Sequence, residues 1–218
     1  MELDIGELPL VGGHPALDLV NTLARGPASA GEVPHDYLVD AAALLAWSRR
    51  AGLLDDAEAK AVAAAWRHDR RTAQAVLSAV REVREALHLA LLAAIGVVPR
   101  EDPASAAALE RLHGRWAVTA ARSALVFDPA GTAPVRLVVG TMPASLVLDR
   151  AVDAALDVLR TADPTRLRRC PPEDGGCGWV FLDHSRNGLR RWCRMADCGT
   201  RVKARRLTER RRTARSTP

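Results

Sequence analysis

The chain has no cysteine in its first 169 residues, one tyrosine, two phenylalanines, and only two lysines, Lys60 and Lys203, among 31 basic residues. No apolar run approaches the roughly 20 residues a bilayer span needs. The longest, such as LHLALLAAIGVV, fall well short. The opening MELDIGELPL lacks a basic region followed by an apolar stretch, the pattern of an export signal. These absences predict a soluble, cytoplasmic protein with no membrane partner. There is no Gly-rich phosphate loop, no G-x-S-x-G elbow and no paired-carboxylate motif. His68, His88 and His113 show no H-x3-H spacing, and His14 and His35 fall in loops. No enzyme is expected. The scarcity of Lys makes Arg the default cation, so Arg identity by itself says little about recognition.

What is present is enough apolar material for a core. Of the 218 residues 48% are hydrophobic, and the length suits one ordinary domain with a small one appended. Charge divides the chain. Residues 166–218 hold 15 Lys+Arg against 5 Asp+Glu, whereas the preceding part holds 16 against 21. A net +5 therefore conceals an acidic body and a strongly basic end, the electrostatic footprint of a polyanionic partner.

Periodicity organises residues 1–164 as a mostly helical domain with a small β-sheet, an α+β class. GPASAGEVP, from Gly26 to Pro34, reads as a surface loop. Helical spacing runs from Asp36 to Arg50, with Gly52 at the C-terminal cap position, and again from Ala57 to Trp66. Val76, Val80, Val83, Leu87, Leu91 and Ile95 recur every three or four residues through Thr72–Ile95, a long amphipathic helix. Pro103 opens a further helix. Ala124–Phe127 and Val135–Val139 flank a Pro/Gly loop and read as a hairpin. Ala144–Thr161 returns to helix, ended by Asp163-Pro164.

Residues 165–218 hold all four cysteines within 29 positions: Cys170 and Cys177, then Cys193 and Cys198. Two close pairs flanking a longer insert are what a tetrahedral ion needs, since each short loop must offer two thiolates at about 2.3 Å. Pro171, Pro172, Gly175, Gly176 and Gly178 make the wider first loop feasible. Two disulfides, or four unrelated thiols, are the alternatives; a reducing compartment disfavours the first and the clustering the second. One structural Zn2+ per chain is expected, with no open position for catalysis. His184 reads as a surface residue rather than a ligand. Asn187-Gly188 predicts a type I′ hairpin that would set Trp179, Phe181 and Trp192 on one face. So short and charged a segment cannot bury enough apolar area alone, and metal would supply the missing folding free energy.

Beyond Cys198-Gly199, TRVKARRLTERRRTARS predicts a helix capped by Thr200, with cations around most of its circumference and only Val202, Ala204 and Leu207 for packing. Such a helix repels itself unless a polyanion neutralises it. Arg201, Lys203, Arg205, Arg206 and Arg210, with Thr200 and with Arg186, Arg190 and Arg191 of the insert, are the candidate nucleic-acid contacts. A solvated or disordered basic tail is the bland alternative. In the N-terminal domain, Asp18, Asn21 and Thr22 of GGHPALDLVNT are candidates for a ligand site, against ordinary turn and cap chemistry.

The C-terminal pattern C-x6-CGWVFLDHSRNGLRRWCRMADCGTRVKAR resembles the CGNR-type zinc finger. GGHPALDLVNT, with LLAWSRRAGLL at 44–54, resembles the ABATE domain that precedes that finger in a bacterial family of proposed stress-induced transcription regulators. The resemblance spans essentially the whole chain. It implies an N-terminal domain of its own fold and a treble-clef-like finger with Cys170, Cys177, Cys193 and Cys198 as ligands. The tetrad naming the finger appears as Cys198-Gly199-Thr200-Arg201, with Thr where the family has Asn. Implied with it is DNA as partner; the larger domain is expected to sense a small-molecule effector or to mediate self-association as a homodimer. An RNA-binding or protein-interaction module is the alternative.

Overall fold

A computed structural model describes residues 5–26 and 35–216, with side chains as far as residue 208. All but Gly26 of the turn-rich segment 26–34 lies outside the described residues. Helix α4, Arg70–Ala94, is the axis of the larger domain. Around it pack α1 (Pro15–Asn21), α2 (Ala41–Arg50), α3 (Asp56–His68), α5 (Pro103–Ala121) and α6 (Leu146–Thr161). The apolar stripe read from the sequence faces inward: Val76, Val80, Val83, Leu87 and Leu91 are buried together with Leu17, Leu19, Leu44, Trp47, Val62, Leu112, Val147 and Val152. No described helix is long and apolar enough to cross a membrane.

Helix boundaries follow from capping chemistry. Asp40 accepts from the Ala43 amide, Asp69 from Thr72 and Asp102 from Ala104, and Pro103 opens α5. Asp55 and Glu58 form a reciprocal capping box at α3. Asp69 both ends α3 and starts α4, because its extended backbone breaks the helical path. Gly52 terminates α2 with φ +73°.

Two N-terminal features depart from the sequence reading. The helix expected from Asp36 begins only at Ala41, since His35–Asp36 (β2) pairs antiparallel with Leu23–Ala24 (β1). Asp36 is held there by Arg84, through bonds of 2.6 and 2.8 Å to its two carboxylate oxygens. The stretch 15–21, read as turn and cap chemistry, is itself a helix, α1, buried almost throughout. The expected hairpin is present as β3 (Ala124–Phe127) and β4 (Val135–Val138).

In the C-terminal part, β5 (Leu167–Arg169) and β6 (Val180–Leu182) form an antiparallel hairpin. The expected ribbon about Asn187-Gly188 is not formed. A type I′ turn needs positive φ at both central residues. Gly188 has φ +64°, but no described non-glycine residue has positive φ. Instead the buried carboxylate of Asp183 accepts from the amides of Ser185 and Arg190, each at 2.8 Å, and gathers 183–190 into a compact loop. Hydrogen bonds from Ser185, then the Arg190 amide, hold that carboxyl down at about 2. β6 therefore turns to β5 for its strand partner.

The final helix also starts earlier than expected. A π-helical turn, Met195–Gly199, runs directly into α7, Thr200–Ser216. Thr200 is helical and its hydroxyl donates to the Met195 carbonyl at 3.0 Å, so it lies inside the helical path and does not cap it. A Cβ at Gly199 would press on Trp192 and on the exposed side chain of Met195, which would have to move aside.

Candidate metal centre and basic helix

Three local structures bring the cysteines together. Cys170 follows β5 directly, and the loop 171–179 returns the chain to β6. Cys170 N donates to Trp179 O at 2.8 Å, and Gly178 N to Cys170 O at 3.1 Å. Gly175 and Gly178 take positive φ in that loop, and at Gly176 a Cβ would stand 2.7 Å from the Cys170 sulfur. The wide C-x6-C spacing is thus accommodated by a 3-10 turn, Pro172–Asp174, and by glycines that let the backbone pass the sulfurs. Cys193 ends the Asp183 loop and Cys198 lies in the π turn.

All four sulfurs lie within 4.8 Å of one another. Cys177 and Cys193 are 3.3 Å apart and Cys193 and Cys198 3.7 Å. A tetrahedral ion with ligands at about 2.3 Å needs sulfur–sulfur edges of about 3.8 Å. A disulfide needs about 2.05 Å, and all four cysteines are free. Cys170, Cys193 and Cys198 are buried, and Phe181, Trp179, Trp192 and Val11 pack around the cluster. The three aromatics meet over the sulfurs as the sequence suggested, although by a different backbone route.

The thiols act on each other strongly. Hydrogen bonds from Cys177, Cys193 and Cys198 hold Cys170 far below the usual thiol range. The same contacts, with Cys170 first, push Cys177 and Cys193 far above it. Four thiolates cannot coexist in this volume without a cation between them, and the all-sulfur donor set suits zinc. Arg201 Nη2 donates to the Cys198 sulfur at 3.4 Å, placing positive charge beside the ligand set.

The cations expected to face nucleic acid divide into two groups. Arg186, Arg191, Arg201, Lys203, Arg205 and Arg206 are exposed, as is the neutral Thr200. Arg190 turns inward. Its guanidinium lies 4.4 Å from the centre of the Phe181 ring and donates to the carbonyls of Trp192 and Cys193. It braces the loop that carries Cys193. Arg191 pairs with Asp174, and Arg206 approaches the same carboxylate at 3.2 Å. Arg205 donates to the Asp174 carbonyl at 2.9 Å. Val202 is the apolar anchor of α7. The side chain of Arg210 lies outside the described residues. Asp174 was not singled out from the sequence; the signal was there, as one of two adjacent acids, Glu173 and Asp174, inside a cysteine loop surrounded by arginines.

Asp18, Asn21 and Thr22 each find a protein partner. Asp18 Oδ1 accepts from Gly12 N at 2.8 Å, and burial raises its carboxyl above the usual value against the opposing pull of the Gly12 and Val11 amides. Thr22 donates to Leu19 O and accepts from Arg84. Asn21 reaches across to the finger, donating to Val180 O and accepting from Val180 N, both at 2.9 Å. Leu182 N donates to Gly12 O at 2.8 Å alongside. The signature segment is therefore the seam between the two parts of the chain, and Leu167 and Val180 of the finger belong to the main core.

Comparison with known families gives two matches. Residues 13–162 match the ABATE family, described as "Putative stress-induced transcription regulator", and residues 166–211 match the CGNR zinc finger. No curated protein matches the chain.

Proposed function

Since the chain belongs to the ABATE family and ends in a CGNR zinc finger, we propose that it is a zinc-dependent, DNA-binding transcription regulator. The observation carrying this reading is the sulfur cluster whose fourth member, Cys198, sits in the turn from which the exposed basic helix α7 emerges. One zinc held by Cys170, Cys177, Cys193 and Cys198 supplies folding free energy and, with four thiolate ligands, no reactive position. It fixes the start of α7, so that Arg201, Lys203, Arg205 and Arg206 are presented to phosphates by a rigid base. The larger domain senses an effector or mediates association. The reading is that of a binding protein and not of an enzyme.

The test is retention of duplex DNA by the full chain, with metal content measured by elemental analysis on the same sample. Affinity is expected to fall by about 0.9 log units per log unit of salt for each neutralised phosphate. The combined Lys203→Ala, Arg205→Ala, Arg206→Ala variant, which leaves Arg201 beside Cys198 in place, should keep its metal and lose the duplex. Metal-loaded protein that retains no duplex at low salt overturns the reading. Preference for structured RNA over duplex in direct competition moves the assignment to an RNA-binding module.

A further inference from the structure

The β3–β4 hairpin is turned the wrong way round for a solvent-facing ribbon. Its register pairs Leu125 with Leu137 and Phe127 with Val135, which places these four side chains on one face. That face looks outward: Leu125 is 71% exposed, Phe127 88%, Val135 44% and Leu137 48%. On the other face Ala124, Val126 and Val138 are half-buried and Arg136 is exposed. An antiparallel pair with one solvated face normally alternates apolar in and polar out. Here the outer face carries no polar side chain at all.

Hydrogen bonds brace the hairpin at both ends. Asp128 at its tip accepts hydrogen bonds from the amides of Ala130, Thr132 and Ala133 and from the Thr132 hydroxyl, at 2.7 to 3.1 Å. At its base Arg150 donates to the Val139 carbonyl at 2.7 Å, and Thr141 to that of Arg122 at 3.2 Å. A surface ordered in advance binds without the entropic cost of ordering it.

We propose that this face is where two copies of the chain associate, packing sheet against sheet about a two-fold axis. Three observations select a second copy as the occupant. The face has no charged side chain, so bringing it against itself opposes no like charges. The same lack of cations makes it unsuited to nucleic acid or to anionic lipid. Its four side chains expose roughly 400–500 Å², Phe127 contributing most, since an aromatic side chain carries roughly 150–250 Å². That is more than half of the about 800 Å² that each partner gives to a standard interface, before backbone and loop atoms are counted. The inference rests on the association part of the proposed function and is independent of DNA binding. An isologous pair would carry two basic helices per particle.

Sedimentation equilibrium of the full, metal-loaded chain without nucleic acid tests it. The wild type should sediment with the mass of two chains at micromolar concentration. Phe127→Asp and Leu125→Lys, on side chains already exposed and so harmless to the fold, should each give the mass of one chain with unchanged circular dichroism and metal content. Val97→Asp, a charge placed on an exposed apolar residue of another loop, should remain paired. A monomeric wild type overturns the proposal and leaves the face to a different protein; pairing that survives both hairpin substitutions overturns it equally. Paired protein that fails to bind duplex counts against the DNA reading alone.

Discussion

The side-chain amide of Asn21 and the main chain of Val180 are joined by two hydrogen bonds of 2.9 Å, one in each direction. β6 spends one edge on β5; Val180 and Leu182 turn their other polar groups toward α1 and Gly12. A single asparagine thereby does what a neighbouring strand would do, and the metal module is tied to the larger domain through buried polar groups that have no access to water.

Asn21→Ala leaves the amide and the carbonyl of Val180 buried without partners. Each unsatisfied group costs about 1–3 kcal/mol, so a loss of about 2–5 kcal/mol is expected in urea unfolding. Asn21→Asp should fall between, since a carboxylate can still accept from Val180 N but cannot donate to its carbonyl. Amide exchange at Val180 should rise in both variants; an unchanged rate would show that the seam does not depend on this contact.

Metal removal should not unfold the whole C-terminal part. Leu167 and Val180 belong to the main core, whereas Cys170, Phe181, Cys193 and Cys198 pack only around the sulfur cluster. Treatment with a chelator should therefore abolish exchange protection over 170–179 and 190–208 while β5 and β6 keep theirs. Uniform loss over 165–208 would contradict this division.

Asp174, in the first cysteine loop, holds α7 through Arg206 and the segment that leads to Cys193 through Arg191. Asp174→Asn removes a carboxylate that competes with phosphate for those two cations. On the proposed function, duplex affinity at low salt should increase several-fold, and the salt dependence should steepen by about one to two phosphate equivalents. Metal content should stay as it was. Weaker binding would mean that the clamp positions the helix more than it occupies it.

His88 is expected to make the stability of the fold depend on pH. Burial first, then Arg25, Arg169 and Arg84, push its imidazole down to about 3. An unfolded chain takes up this proton near pH 6.5, and the folded chain does not until about pH 3. In that window the unfolded state binds more protons, so stability falls as pH is lowered, by up to about 2–4 kcal/mol. His88→Gln should flatten this part of the stability curve relative to wild type, measured by denaturant unfolding at several pH values. Parallel curves would rule the residue out.

The helices of the larger domain were legible because their signals are local. The three-to-four-residue stripe of α4, the aspartates at the helix starts and Gly52 at an end act within one or two turns of chain, and the structure places α3 to α6 close to expectation, whereas α2 begins later than expected and α1 was not read as a helix. The cysteine pairing was legible for a different reason: four thiols in two close pairs have few other chemical uses. Neither kind of signal reveals what a segment packs against. Asn187-Gly188 promised a hairpin on local grounds, yet the Asp183 carboxylate gathers the segment into a loop and β6 pairs with β5, a strand that precedes it in the chain.

By itself, the sequence determined the α+β class, the helices of the larger domain from α2 to α6, the four-sulfur centre and the concentration of cations beside it, because period, capping and donor chemistry are written in neighbouring residues. The tertiary structure alone decided that β6 pairs with β5 and not with the chain beyond it, and that Arg190 braces the metal loop from within. It also decided that Asn21 binds the finger and that Phe127 faces outward. Each of these depends on which groups, distant along the chain, must satisfy one another once water has been excluded, and no local pattern carries that information.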